Sequence, residues 1–291
     1  MREPLFEHRL ELAGYATRAL ELEGEGPPLV LLHGYADSAD TWRLVLERLG
    51  REGRAALAVD LPGFAKADDL DKGPMLPQYD RFAAAAVEHA AGERGRSVVL
   101  AGNSLGGCIA LRAAQRDDLP LEGVVPVAPA GLDMPAWFQI IQRDVVMRAL
   151  LTTRAPVPSP VVRRSVGEVY KRLVFSRPGE APGELVAMFT SHHPSTGAVK
   201  RLRDLGARLL PELTLEGFEL ERIEVPVLLV WGDRDRMVSH EGARHVLGAV
   251  PEARYVELEG CGHCPQLEQP ERFTELLVDF LEHGVQAKDV A

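Results

Sequence analysis

Three stretches of this chain carry side chains suited to moving protons and attacking a carbonyl carbon. GNSLGG, from Gly102 to Gly107, holds Ser104 in the spacing G-x-S-x-G. GDRDRMVS, from Gly232 to Ser239, offers Asp233 and Asp235, and GCGHCPQLEQP, from Gly260 to Pro270, offers His263. A serine hydroxyl is a poor nucleophile at neutral pH. It needs an imidazole to take its proton and a carboxylate behind that imidazole to fix the ring and stabilise its cationic form. The combination points to acyl transfer with Ser104 as nucleophile and His263 as base. The plainer alternative for Ser104 is a capping residue before Leu105 in a glycine-rich loop.

Acyl transfer also requires donors for the oxyanion. One expected donor is the backbone N–H of Leu105, directly after the nucleophile. The other is the backbone N–H of Tyr35 in HGYAD, which follows the apolar run ending at Leu32. The last stretch also contains CGHC, Cys261 to Cys264, the pattern of a redox dithiol. A dithiol oxidoreductase needs a thioredoxin-like body with further strands after the motif, and only 27 residues follow Cys264. Cys261 and Cys264 are therefore read as neighbours of the base that can oxidise only adventitiously. A single C-x-x-C pair lacks the second ligand pair of a structural zinc site, and His192 with His193 has no obvious carboxylate company. No metal and no cofactor is expected.

The elements that position these residues follow from apolar periodicity. Residues 5 to 22 read as an antiparallel pair bending near Gly14. Leu29 to Leu32, Ala55 to Val59, Val98 to Ala101 and Val124 to Ala128 read as short buried strands. Helices fall between them at 41 to 49, 78 to 94 and 105 to 116. Pro126 lacks a ladder donor and is expected at an edge or bulge. The alternation implies an α/β fold, a mostly parallel, doubly wound sheet with helices on both faces. It resumes at Val225 with PVLLVWG, a helix near 240 to 247, a strand from Arg254 to Leu258 and a last helix. There Phe273, Leu276, Leu277, Phe280 and Leu281 share one face. The core domain is thus 1–129 and 221–291. Residues 130–220, with proline clusters and helical stretches but no strand, are expected to be an inserted helical cap. Met134, Trp137, Phe138 and Met188, with Met147 and Phe189, either line an apolar pocket beneath it or form its own core. Ser104, the two aspartates and His263 all fall at carboxyl ends of strands, where open parallel sheets bind ligands.

Composition limits the partners. Among 291 residues, 46% are hydrophobic and 26% charged, and the formal net charge of -10 leaves no surplus of Lys and Arg to displace phosphate counterions. Nucleic acid is not expected, and a small molecule is. The amino terminus has no continuous apolar h-region, and no apolar run is long enough for stable membrane insertion. A cytoplasmic location is expected. Three cysteines, an odd number, do not make a disulfide framework.

Taken together, LVLLHGYADSADTW, VDLPGFAKAD, LAGNSLGG, VWGDRDRMV and GCGHCPQLEQPERF resemble the oxyanion segment, the following strand and turn, the nucleophile elbow, the acid loop and the histidine loop of the α/β-hydrolase superfamily. The resemblance covers nearly all of the chain. It implies the order serine, acid, histidine, and it places the acid on Asp235 in preference to Asp233. Ala65 stands where the family usually has a second glycine. Among relatives, GNS with a cap after the sixth strand occurs in carboxylesterases and in hydrolases of carbon-carbon bonds. HGYADSAD lacks the extended glycine-rich stretch that many of the latter carry, so the expected reaction is hydrolysis of a small to medium apolar carboxylic ester. The alternatives are a carbon-carbon hydrolase of diketone-type ring-cleavage products, a lipase or monoacylglycerol lipase, and a non-catalytic ligand receptor. Epoxide and haloalkane hydrolysis use a carboxylate where Ser104 stands.

Overall fold

Buried strands in this chain alternate between two helical layers, and that alternation sets the architecture. In β3 (Glu25–Leu32), Val30 and Leu32 face one apolar layer, while Leu29 and Leu31 face the other. A computed structural model describes residues 5–92, 96–133, 152 and 157–284. Eight strands form one sheet. Besides β3 they are β1 (Leu5–Leu12), β2 (Tyr15–Leu22), β4 (Arg54–Val59), β5 (Val98–Asn103), β6 (Leu121–Val127), β7 (Leu228–Gly232) and β8 (Arg254–Leu258). Their order is β1-β2-β4-β3-β5-β6-β7-β8. The β1–β2 and β2–β4 pairs are antiparallel and the remaining pairs are parallel.

One face is covered by α2 (Leu76–Ala91) and α3 (Leu105–Ala113), which pack Tyr79, Phe82, Ile109 and Leu111 against Val30, Leu100 and Leu229. The other face is covered by α1 (Arg43–Arg51) and the carboxyl-terminal helix, in which Phe273, Leu276, Leu277 and Phe280 are all buried. Trp42 and Phe273 meet there with ring centroids 6.0 Å apart. Between β6 and β7 the described residues form three longer helices, α4 (Ser159–Val174), α5 (Gly183–Ser191) and α6 (Thr196–Leu209), and no strand. After β7 come α7 (Ala243–Ala249), α8 (Pro265–Glu268) and α9 (Pro270–His283).

Two details differ from the sequence expectations. Pro126 lies inside the sheet, between β5 and β7, and not at an edge. Val124 N–H donates to Pro226 O and Ala128 N–H to Val230 O, each at 2.9 Å. Pro126, midway between them, has no N–H for the carbonyl of Leu228, so the sheet accepts one missing rung. His192 does have carboxylate company: its Nε2 is 3.5 Å from Asp40 Oδ2. Ala65 adopts φ +47°, the left-handed backbone for which glycine is the usual residue.

A buried charge cluster ties the amino-terminal strands to the loop after β3. Arg18, 4% exposed, donates to Asp60 Oδ2 at 3.0 Å and to Asp40 Oδ2 at 2.8 Å. Asp60 also accepts the backbone N–H groups of Ala39 (2.8 Å) and Lys66 (3.1 Å). With each carboxylate oxygen hydrogen-bonded, the pair and its loop are fixed in place.

Candidate active site

Ser104 sits between β5 and α3 with φ +55° and ψ −110°, a backbone that L-residues avoid unless the surroundings impose it. The surroundings here are steric. A Cβ on Gly106 would lie 2.2 Å from Leu32 O, and one on Gly102 would lie 2.2 Å from Gly106 O. Only glycine at both positions lets α3 start this close to β3 and β5. The turn is held by Ser104 N–H donating to Val127 O at 2.8 Å, and Ser104 O accepts from Cys108 (2.9 Å) and Ala130 (3.0 Å). Leu105 opens α3, so its N–H has no acceptor within the helix. The HGYAD loop comes alongside, since a Cβ on Gly34 would be 3.3 Å from the Cβ of Ser104.

His33 in that loop is structural. Its Nε2 accepts from Leu61 N–H at 2.8 Å, so Nδ1 carries the proton and donates to Gly34 O at 2.7 Å. Full burial pushes its pKa down to about 4, which keeps this neutral tautomer at physiological pH.

Asp235 and His263 come together from the loops after β7 and β8. His263 Nδ1 is 2.7 Å from Asp235 Oδ2, and an ionised carboxylate only accepts, so Nδ1 is the protonated nitrogen. Asp235 Oδ1 accepts the N–H groups of Met237 (2.7 Å) and Val238 (3.1 Å), which aim the carboxylate. Asp233 serves elsewhere: its Oδ1 accepts from Cys261 N–H at 3.1 Å and holds the histidine loop. His263 Nε2 is buried without a hydrogen-bond partner. His263 lines the same cavity as Ser104, Gly34, Tyr35 and Leu105.

Two further residues position the histidine, and neither was singled out from the sequence. Asn103, one residue before Ser104, donates through Nδ2 to His263 O at 3.0 Å and accepts from Cys264 Sγ at 3.3 Å. Glu268 accepts from Gly262 N–H at 2.6 Å, and from Ser176 N–H (2.9 Å) and Ser176 Oγ (2.7 Å). It thereby joins the histidine loop to the end of α4. Asn103 lies within the quoted GNSLGG, but nothing in its spacing reveals a partner 160 residues away.

Cys261 and Cys264 are free and buried. Burial pushes both thiols up, the opposite of what a reactive dithiol requires. Among the described residues no group of three or more His, Cys, Asp or Glu side chains could hold a metal ion.

The cavity above Ser104 is lined mainly by aliphatic and aromatic residues, including Val166, Val169, Phe189, Val199, Leu202 and Met237. Met188 does not line it. Its neighbour Phe189 does, because one step along a helix turns the side chain by about 100°. Met134, Trp137 and Phe138, the other expected pocket residues, lie outside the described residues, as does Met147. The Tyr35 phenol donates to Leu202 O, and His193 Nε2 donates to Ala36 O at 2.8 Å, so the two bonds fasten α6 and the end of α5 to the HGYAD loop.

Residues 29–276 match the alpha/beta hydrolase family. The chain belongs to that family. It is 26% identical over 275 residues to a pimeloyl-[acyl-carrier protein] methyl ester esterase of Vibrio vulnificus, covering 89% of this chain and 96% of that one. The crystal structure of a membrane phospholipase A, described as a bacterial virulence factor, is similar with a TM-score of 0.75 and 28% identity, covering 97% of this chain and 87% of that one. A 2-hydroxy-6-oxo-6-phenylhexa-2,4-dienoate hydrolase from Rhodococcus shares the fold with a TM-score of 0.75 at 21% identity, covering 96% and 99%. These proteins are named for different substrates, so membership of the family supports a hydrolytic reaction without fixing its substrate. Among the described residues no helix is long and apolar enough to cross a membrane.

Proposed function

We propose that this alpha/beta hydrolase cleaves carboxylic esters through an acyl-enzyme on Ser104. Ser104 attacks the ester carbonyl as His263 Nε2 takes its proton, and Asp235 holds the imidazole and stabilises its cationic form. The N–H groups of Tyr35 and Leu105 receive the oxyanion. His263 then returns the proton to the leaving alcohol, and water, activated by the same nitrogen, releases the acid. The observation that carries this reading is the state of His263: Nδ1 is engaged by Asp235 at 2.7 Å, while the buried Nε2 is unengaged and the residue lines the cavity that Ser104 also lines.

Residues 130–220 serve as a cap in this reading, with α4 to α6 as the roof of the cavity. A cavity of ≈ 200 Å³ with aliphatic walls suits a small to medium apolar substrate. Replacing Ser104 with Ala should abolish hydrolysis of a short nitrophenyl ester and labelling by a fluorophosphonate probe. Retention of either in that variant rejects the assignment. A panel of esters graded in acyl length then measures how far the apolar wall extends.

A further inference from the structure

Most polar groups around the cavity already have partners. The Tyr35 phenol donates to Leu202 O. The Asn103 amide lies between His263 O and Cys264 Sγ. Arg203 is paired with Asp204 at 2.6 Å and 2.9 Å. Among the described polar side chains that line the cavity, apart from Ser104 and His263, two have unused capacity: the Tyr170 hydroxyl and the Asp37 carboxyl.

Tyr170 is 5% exposed, and its hydroxyl is buried with no hydrogen-bond partner. The ring is stacked on Phe189 at 3.8 Å between centroids and meets Phe175 edge-on at 5.7 Å, so it is held where it is. Asp37 is 6% exposed. It accepts from Ser38 N–H at 2.9 Å and from the Thr41 hydroxyl. Among the described residues it forms no ion pair, and His192, whose Nε2 is 3.5 Å from Asp40 Oδ2, approaches Asp40 instead. A carboxylate offers about four acceptor sites, so acceptor capacity remains. Burial, opposed by these bonds, lifts the Asp37 carboxyl to about 7. Contacts bring the two groups to the same part of the cavity: Phe189, on which Tyr170 stacks, meets His193 at 4.8 Å between centroids, and His193 Nε2 donates to the backbone O of Ala36, the residue before Asp37. Burial and then the charge of Asp37 raise the Tyr170 phenol, in keeping with that proximity.

We propose that Asp37 and Tyr170 form a polar subsite in the wall of this apolar cavity that binds a free hydroxyl of the substrate. The hydroxyl donates to the Asp37 carboxyl and accepts from the Tyr170 O–H, which satisfies a donor the protein leaves unpaired. A carboxylate at this point would be repelled by Asp37, and an alkyl terminus would leave both groups unmatched. The substrate class is an ester bearing a free hydroxyl, either a partial ester of a polyol or an ester of a hydroxy acid. This deepens the ester reading and rests on it.

Calorimetric titration of the full chain with benzyl alcohol and with toluene tests the subsite without catalysis. The ratio of the two affinities should favour the alcohol in the wild type and fall about tenfold in Tyr170→Phe and in Asp37→Leu, the effect of losing a hydrogen bond or two. A ratio unchanged within about twofold of wild type in Tyr170→Phe, or no binding of either compound to the wild type, overturns the proposal. Tyr170→Phe removes one oxygen that has no protein partner, so it keeps the test decisive if Asp37→Leu fails to fold. Fluorophosphonate labelling runs in parallel. A ratio that responds without labelling rejects the ester reading and keeps the subsite, while labelling with an unresponsive ratio rejects the subsite alone. Where the wild type labels, kcat/KM of untreated enzyme for glyceryl monobutyrate and for propyl 4-hydroxybutyrate, each against propyl butyrate, places the hydroxyl in the alcohol or the acyl half. Preference for neither overturns the substrate class.

Discussion

The floor and the roof of the cavity are held by different kinds of contact. The floor consists of strand-end loops fixed by backbone packing: glycines with no room for a Cβ, main-chain hydrogen bonds around Ser104, and carboxylates that accept main-chain N–H groups. The roof, α4 to α6 with the turns that follow α4 and α6, is fastened by side chains that bond main-chain groups across the boundary with the core, in both directions. Glu212 accepts from Met75 N–H (2.8 Å) and Leu76 N–H (2.9 Å) at the start of α2. Arg208 donates to Asp71 O at 2.8 Å, and Arg236, from the acid loop, donates to Ser176 O at 3.2 Å. A backbone-packed floor has one arrangement, whereas side-chain fastenings can be exchanged one at a time. In the proposed ester reading, chemistry belongs to the floor and most of the apolar substrate wall to the roof.

The largest effect should come from adding a methyl group to the floor. Gly106→Ala places a Cβ 2.2 Å from Leu32 O, and the expected result is loss of the cooperative thermal transition by circular dichroism. A variant that melts like wild type would refute the backbone-packed floor. Asp235→Asn should fold normally yet lower kcat by about 10⁴-fold, because the amide favours the wrong imidazole tautomer. A loss below tenfold would shift the acid role to another group.

Next comes Asp37, which lies where floor meets roof. Its folded pKa of about 7 stands above the ordinary 3.8, so ionisation destabilises the folded state. The penalty is absent below pH 3.8, grows as pH rises to about 7 and is then complete, with a ceiling of about 4 kcal/mol at 1.36 kcal/mol per unit. Asp37→Asn should therefore gain stability relative to wild type as pH rises from 4 to 8, as read by urea unfolding. His33 and His193 have the opposite sign. Burial lowers both to about 4 from 6.5, so their contribution is present above pH 6.5 and lost as pH falls toward 4. The difference between Asp37→Asn and wild type isolates Asp37 from them. The smallest effect belongs to the roof. Glu212→Ala removes an acceptor from the first turn of α2 and should cost about 1 kcal/mol in urea unfolding, with kcat on a short ester unchanged.

The parallel core was legible because each buried strand is a short apolar run ended by glycine or proline, and because Phe273 to Leu281 repeats at helical spacing. Loop order offered Asp233 and Asp235 alike; the resemblance to the family favoured Asp235, which lies 2.7 Å from His263 Nδ1. Three expectations failed for physical reasons. Pro126 was assigned to an edge by a rule about ladder donors, but a central strand tolerates one missing rung when the rungs at Val124 and Ala128 are kept. His192 was read as isolated because Asp40 lies 152 positions earlier and meets it only after folding. Of the neighbours Met188 and Phe189, both named as pocket candidates, only Phe189 lines the cavity, because the amphipathic helix was recognisable in composition while its rotation depends on tertiary packing.

The gap at Pro126 divides the molecule in a way the strand order alone does not suggest. On one side lie β1 to β6 with Ser104, the proposed nucleophile; on the other, β7 and β8 carry Asp235 and His263. Native-state amide exchange should release β7 and β8 as a cooperative unit before β3 and β5 open. The proton-handling pair would then be the part of the enzyme that heat or denaturant detaches first, leaving Ser104 folded but inert.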